Sequence, residues 1–238
     1  YLISSIASFL SIVLPFSFFL FFGKRKLSDT VLVEKNGVLN SVLLVFAGLA
    51  VSVLMNIPAN LISQLLEGAG LNGDANTADL LAMTPVQALT MFVSVVLVAP
   101  VTEEFAFRSV TTAVMRRWGD WPAVIFSALI FGMAHYSIQS LPVVLTAGFV
   151  MALLYVRTRN IWVNIFVHML NNLLATLPIA LEGLVGADAA NIASNLLTYI
   201  VYGLGLIALV VLLIRNFTGH KVFRTPMQRG VPVRGKAL

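Results

Sequence analysis

A few ionisable and amide side chains interrupt the long apolar stretches of this chain, and their types could support hydrolytic chemistry. They lie in three separate stretches and are Glu103, Glu104, Arg108, His135, His168, Asn171 and Asn172. A charged group in an apolar span costs about 2.5–3.5 kcal/mol, so each one requires a reason. Carboxylates and imidazoles can act as general bases on water, and imidazole or carboxamide N–H groups can donate hydrogen bonds to an oxyanion. Together these residue types could hydrolyse an amide bond.

Helical spacing places some of these side chains on shared faces, because residues four apart are neighbours on a helix surface. Glu104 pairs in this way with Arg108, and His168 pairs with Asn172. Asn171 points elsewhere and is interpreted as structural. Taken singly, each pair has a plain structural explanation, as a buried ion pair or as polar contacts between helices.

A common depth in the membrane favours one shared site instead. Depth is measured from the cytoplasmic end of each predicted helix at about 1.5 Å per residue. Glu103 lies about 20 Å from that end, His135 about 21 Å and Asn172 about 17 Å. Polar groups from three helices therefore fall in one layer. Chance convergence is a weaker explanation than a shared intramembrane site.

The elements that must position this layer are transmembrane helices. Of the 238 residues, 59% are hydrophobic and only 11% are charged, and the charges are clustered between apolar runs of spanning length. We predict an all-α, polytopic transmembrane helical bundle. The absence of cysteine excludes disulfides, thiolate metal sites and a cysteine nucleophile. Because most bases flank apolar runs, the net charge of +5 indicates membrane orientation rather than nucleic-acid binding.

Seven apolar runs define the predicted spans: 1–22, 38–57, 85–116, 121–137, 141–156, 161–179 and 192–214. The third run is long enough for a helix of about 50 Å. The segment 58–84 contains acids but no base, and the helical spacing of Leu61, Ile62, Leu65 and Leu66 suggests a stretch along the membrane interface. The chain begins with Tyr1, so a further element could precede it.

Charge distribution predicts how the bundle is oriented. The connections that carry bases alternate with connections that carry only acids, which places the amino terminus outside and the carboxyl terminus in the cytoplasm. We expect one transmembrane domain over 1–214, in a bacterial or archaeal plasma membrane or the endoplasmic reticulum. The basic tail, 215–238, is expected to be disordered.

Three motifs resemble those of the CAAX-processing and bacteriocin-processing intramembrane endopeptidases, and in particular the type II CAAX prenyl proteases. The family pattern is EExxxR, FxxxH and HxxxN, each on a transmembrane helix. The chain has Glu103 to Arg108, Phe131 to His135, and His168 to Asn172 in that order, within 85–174. The family is usually described with eight spans, so the count of seven fits one helix upstream of Tyr1 or two elements merged into one predicted span.

The resemblance implies a role for each motif residue. Glu103 and His135 would activate water, and His168 and Asn172 would form the oxyanion hole. Glu104, Arg108 and Phe131 would support them, although Glu104 could also touch the site. Family members have been described both with and without a metal. We favour a mechanism without a cofactor, while Glu103, His135 and His168 could together hold zinc with one position open.

These inferences predict an endopeptidase that cleaves near the carboxyl terminus of a prenylated or other membrane-associated substrate. A prenyl chain would need an apolar path to Glu103, open to the cytoplasm or to lipid. One alternative is a membrane regulator or immunity protein that keeps the fold without proteolysis. Another is a proton-coupled carrier that uses Glu103 and His135 as a relay, but we find no internal repeat to support it.

Overall fold

The computed structural model describes residues 2–71, 85–223 and 226–229, and these residues form a bundle of helices. They are α1 (Leu2–Phe22), α2 (Leu27–Thr30), α3 (Val38–Gly68), α4 (Val86–Trp118), α5 (Asp120–Met133), α6 (Leu141–Thr158), α7 (Ile161–Val185) and α8 (Ala187–Phe217). Each apolar run of the sequence contains one long helix, and the predicted all-α membrane bundle is confirmed.

Five of the described helices are long and apolar enough to cross a membrane, namely α3, α4, α6, α7 and α8. The apolar part of α1 and the whole of α5 are shorter. The chain is thus a multi-pass integral membrane protein. The count of seven spans and the side on which the carboxyl terminus lies stay predictions.

The helix that contains the second apolar run does not end at residue 57, and the helical spacing predicted over 61–66 is confirmed, whereas its position along the membrane interface stays a prediction. Helix α3 continues without interruption through Pro58 to Gly68, and Leu61, Ile62 and Leu65 are exposed on it. Between Pro58 and Gly68 the sequence has no further glycine or proline that would end the helix. The helix ends just before Gly70, whose φ is positive at 82°. The rest of the acidic segment, 72–84, lies outside the described residues.

Helix α5 ends earlier than the apolar run that predicted it. The run extends to 137, but the helix stops at Met133, and Tyr136 has a left-handed φ of 53°. A helix of 14 residues is about 21 Å long, less than the hydrocarbon thickness of about 30 Å. His135 therefore lies in the connection after α5 and not on the helix itself.

Helix α4 contains two π-helical stretches, Val93–Val98 and Glu104–Thr111. Hydroxyl groups bind two carbonyls of the second stretch. Thr111 donates to the Ala106 carbonyl at 3.0 Å, and Ser127 of α5 donates to the Phe107 carbonyl at 2.7 Å. Because backbone carbonyls within a membrane need a donor, these contacts stabilise the wider turn next to the conspicuous carboxylates.

Close packing of α3 against α8 depends on a glycine. An added Cβ at Gly205 would lie 2.6 Å from the Phe46 carbonyl oxygen and 2.8 Å from the Ala50 Cβ. Small residues at such crossings allow helix backbones to approach closely in membranes.

We predict that Gly205→Ala destabilises the protein by about 1–3 kcal/mol, because the new methyl group would force α3 and α8 apart. Gly203→Ala is the matched control, since a Cβ there meets nothing within 4 Å. Thermal unfolding in detergent measures both variants. Equal stability of the two variants would contradict the assigned contact.

The connections that carry bases meet at one end of the bundle, which we call the basic end. Arg159 pairs with Glu34 at 3.2 Å, and the Ile161 N–H donates to the Leu32 carbonyl at 3.0 Å. The connection containing His135 follows the opposite end of α5. This arrangement agrees with the predicted alternation, in which connections that carry bases lie at one end of the bundle and the other connections lie at the opposite end.

Among the described residues, the first part of the basic tail packs against this end, while the disorder expected of the tail as a whole stays a prediction. Val222 is buried, and its carbonyl accepts a hydrogen bond from Asn40 at 3.0 Å. The Gln228 N–H donates to the Asp120 carboxylate at 2.7 Å. The apolar side chains and backbone groups of the tail supply these contacts, which composition alone did not reveal. Residues 224–225 and 230–238 lie outside the described residues.

Candidate functional site

Glu104 is the centre of the polar cluster and is fully buried on α4. One carboxylate oxygen, Oε1, lies 3.0 Å from His168 Nδ1. The other, Oε2, accepts a hydrogen bond from Asn164 at 3.2 Å and lies 3.4 Å from Arg108 Nε. The prediction that Glu104 and Arg108 share a helix face is confirmed, although the carboxylate also reaches two residues of α7.

Asn164 is a site residue that sequence reasoning missed. It is fully buried, and its amide nitrogen donates both to Glu104 and to the Met151 carbonyl of α6, the latter at 2.6 Å. It thus joins α4, α6 and α7 at one point. The sequence spacing could have indicated it, because Asn164 precedes His168 by four residues, as His168 precedes Asn172, which places all three on one helix face.

His168 lies between the two adjacent carboxylates. Its Nδ1 contacts Glu104, and its Nε2 lies 3.7 Å from Glu103 Oε2. Because an ionised carboxylate only accepts hydrogen bonds, Nδ1 carries a proton in this arrangement. Glu104 therefore fixes the ring so that Nε2 points toward Glu103, as a carboxylate partner does for other functional histidines.

Glu103 is the more accessible of the two carboxylates. Its side chain is 16% exposed, against 0% for Glu104. Within the described ranges its Oε2 accepts no hydrogen bond, and the basic side chain within 4 Å of it is His168. A carboxylate that is not already bound to donors can accept a proton from a reactant more readily than the saturated Glu104.

His135 is exposed in the connection that follows α5, and it contacts the cluster through Phe131. The two ring centroids are 4.7 Å apart, and His135 Nδ1 lies 2.9 Å from the Phe131 carbonyl oxygen. Since a carbonyl only accepts, Nδ1 carries the proton and Nε2 of the neutral ring has a lone pair. Among the described residues no ion pair joins His135 to Glu103, and the histidine nearest Glu103 is His168.

Phe131 connects the two histidines with Arg108. The Arg108 guanidinium lies over the Phe131 ring at 4.3 Å, and the His168 ring centroid is 5.7 Å from that of Phe131. The guanidinium N–H groups make no well-aligned hydrogen bond to the part of the chain described, so Glu104 and the aromatic face are its electrostatic partners. Phe131 thus contacts Arg108 and both histidines, and its supporting role stays a prediction.

Asn172 lies one turn beyond His168 on α7 and binds the other π-helical stretch. Its amide nitrogen donates to the Val95 carbonyl at 2.9 Å. The wide turn of a π-helix changes which carbonyls are free, and this one accepts from Asn172. An amide has two N–H donors, so one of them can still face a ligand.

These side chains do not form a three-ligand metal site in the present arrangement. Across residues 2–71, 85–223 and 226–229, no three histidine, aspartate or glutamate side chains are placed to hold an ion together. Among the described residues His135 contacts the cluster through Phe131, and it does not meet Glu103 and His168 around one point. The set Glu103, His135 and His168 therefore does not fit zinc without rearrangement.

An apolar groove of about 560 Å³ lies beside this cluster. Helices α1, α4 and α7 form it, and its walls include Thr102 and Phe105, which flank the two carboxylates. Phe9, Val13 and Ile165 complete the apolar surface. The groove has the character of a site for a hydrocarbon chain.

Asn164→Ala is predicted to lower the free energy of unfolding by about 1–3 kcal/mol, because Glu104 and the Met151 carbonyl would each lose a buried donor. Asn171→Ala is the matched control on the same helix, at a half-buried position. Unfolding in detergent measures both. A loss no larger than that of the control would show that Asn164 does not hold Glu104.

Comparison with known proteins agrees with the motifs. Residues 85–174 match the family model of the type II CAAX prenyl endopeptidases, Rce1-like. The chain is also 31% identical over 140 residues to a protein of Bacillus subtilis (strain 168) named "putative membrane peptidase YdiL". That match covers 58% of this chain and 57% of the relative, so the chain spans less than two thirds of the relative's length. No solved structure gives a significant match. The family match spans the three motifs, and it confirms the resemblance of this segment to the type II CAAX prenyl endopeptidases.

Proposed function

We propose that the protein is an intramembrane endopeptidase that hydrolyses a peptide bond near the carboxyl terminus of a prenylated or other membrane-associated substrate. The observation that carries the proposal is the position of Glu103. Its buried Oε2 accepts no hydrogen bond from the described residues and faces Nε2 of a histidine whose other nitrogen is held by Glu104. The family match and the peptidase relative support the same class of activity.

Water activation is assigned to Glu103 with help from His135. Glu103 Oε2 and His168 Nε2 lie 3.7 Å apart, too far for a direct hydrogen bond, and we place the attacking water beside this pair, within reach of both atoms. Glu103 accepts a proton from this water as its oxygen attacks the carbonyl carbon. His135 can accept a hydrogen bond from the same water at Nε2, because its proton is on Nδ1 and is donated to the Phe131 carbonyl. When the carbon–nitrogen bond breaks, the proton on Glu103 passes to the leaving amine.

Stabilisation of the oxyanion is assigned to His168 and Asn172. His168 donates from Nε2 only as an imidazolium, since its Nδ1 proton is directed to Glu104. Two carboxylates and Arg108 surround the ring, so a protonated His168 makes the cluster neutral overall. The free N–H of Asn172 is the second donor.

The apolar groove supports a substrate that carries a hydrocarbon chain. It lies between α1, α4 and α7, against the residues next to Glu103 and Glu104. A prenyl group in this groove would hold the adjacent peptide close to Glu103.

No metal ion takes part in the proposed reaction. Metal analysis with chelator titration tests this point, and stoichiometric zinc whose removal abolishes cleavage would overturn it.

The test is cleavage of a farnesylated CaaX peptide by detergent-purified protein, with products identified by mass spectrometry. We expect release of the last three residues, and loss of that release in His135→Ala. The same peptide without its farnesyl group is the control for the groove. Equal cleavage of both peptides would contradict a prenyl site, and a folded wild type that cleaves neither peptide would favour the non-proteolytic regulator.

A further inference from the structure

A second apolar cavity lies at the basic end. Helices α3, α6 and α8 and the first part of the tail surround about 510 Å³. Its walls are almost wholly apolar and include Leu44, Val51, Leu153, Leu209 and Val222. None of the residues assigned to proteolysis lines it, so it is a separate site.

The cavity has a polar end and an apolar end. Arg157 and Asn216 lie close to the carboxyl ends of α6 and α8, at the basic end. From there the lining continues to Val150 and Leu209, about 10 Å deeper, and to Val51, about 20 Å from the start of α3. Half the hydrocarbon thickness of a bilayer is about 15 Å. The cavity thus has the length of an acyl chain in one leaflet.

Two arginines with a buried Nε, Arg157 and Arg215, have neither an ion pair nor an acceptor for that Nε among the described residues, and of these two only Arg157 lines the cavity. Arg108, Arg116 and Arg159 each lie within 4 Å of a carboxylate. In the described part of the chain, Arg157 has no carboxylate partner. Its guanidinium lies 4.7 Å from the Phe223 ring, and its buried Nε has no hydrogen-bond acceptor there. An unpaired cation at the mouth of an apolar cavity is complementary to an anionic amphiphile.

We propose that this cavity binds an anionic phospholipid, with one acyl chain between α3, α6 and α8 and the phosphate on Arg157. No acidic side chain lines the cavity to repel the phosphate. Phe223 and Met227 of the tail close the cavity on the side facing the aqueous phase, so lipid binding also holds the tail against the bundle. The inference is independent of the proposed proteolysis.

Two tryptophans provide a matched measurement. Trp121 lines the cavity, whereas Trp162 lines the apolar groove of α1, α4 and α7, whose lining contains no basic side chain, and the two are 52% and 51% exposed. The full-length chain is prepared with Trp121 alone (Trp118→Phe, Trp162→Phe) or Trp162 alone (Trp118→Phe, Trp121→Phe). Each is reconstituted in phosphatidylcholine vesicles that contain a small fraction of brominated phosphatidylglycerol or brominated phosphatidylcholine. Bromine quenches a nearby tryptophan.

We expect brominated phosphatidylglycerol to quench Trp121 more strongly than brominated phosphatidylcholine does, with no such difference at Trp162. Arg157→Gln should weaken this preference about fivefold. Arg117→Gln is the control, because Arg117 lies at the same end but over Trp118 and outside the cavity. An equal preference at both tryptophans, or a preference that survives Arg157→Gln, would overturn the proposal.

A second variant tests the acyl chain separately from the charge. Val51→Phe adds volume to the apolar wall and leaves Arg157 in place. It should abolish the preference at Trp121. Retention of the preference would show that the lipid does not enter the cavity. This variant also answers the question if Arg157→Gln does not fold.

Discussion

Replacing Glu103 with glutamine is expected to reduce peptide cleavage by about 10²–10⁴-fold while the protein stays folded. Glutamine has nearly the same shape as glutamate but cannot accept the proton of the attacking water. The side chain is 16% exposed and its Oε2 accepts no hydrogen bond from the described residues, so its loss leaves little of the fold unsatisfied. Single-turnover cleavage of the farnesylated peptide measures the chemical step directly.

The control for this prediction is Glu67→Gln, which removes an exposed carboxylate at the end of α3, far along the chain from the cluster. It should cleave at the wild-type rate. Thermal unfolding of both variants separates lost chemistry from lost structure. If Glu103→Gln kept more than about a tenth of the activity, the proton would have to go to another group. The histidine nearest to Glu103, His168, would then be the candidate.

Hydropathy predicted the helices because a membrane span must be apolar over about 20 residues. It predicted their ends less well. The apolar run of α5 continues past Met133, but the left-handed Tyr136 ends the helix, and nothing in hydropathy distinguishes a helical residue from an apolar residue in a connection. In the same way, α3 continues through Pro58 because backbone groups released by proline can find other partners inside a bundle.

Residue type and spacing predicted the contact of Glu104 with Arg108, but not the other partners of Glu104. Spacing linked Glu104 with Arg108, whereas the contacts of Glu104 with Asn164 and His168 cross from α4 to α7. The π-helical stretches of α4 set that register, and no sequence signal revealed them. The expected pairing of Glu103 with His135 stays a prediction, since the ion pair of Glu103 in the structure is with His168.

The largest expected loss of stability follows from changing Glu104 alone. Glu104→Gln would leave the fully buried Arg108 without its ionic partner, which costs about 3–5 kcal/mol at such sites. The cation–π contact with Phe131 is already present in the wild type, so it cannot compensate for the lost carboxylate. Unfolding of reconstituted protein should show this loss, and cleavage should fall at the same time.

The double variant Glu104→Gln, Arg108→Met separates the two roles of Glu104. Removing both charges relieves the uncompensated cation, so most of the lost stability should return. Cleavage should not return, because the neutral glutamine no longer holds the Nδ1 proton of His168 as a carboxylate does. A double variant that regains both stability and cleavage would make Glu104 only a counter-ion for Arg108. Recovery of stability alone would show that the buried carboxylate also orients the histidine that faces Glu103.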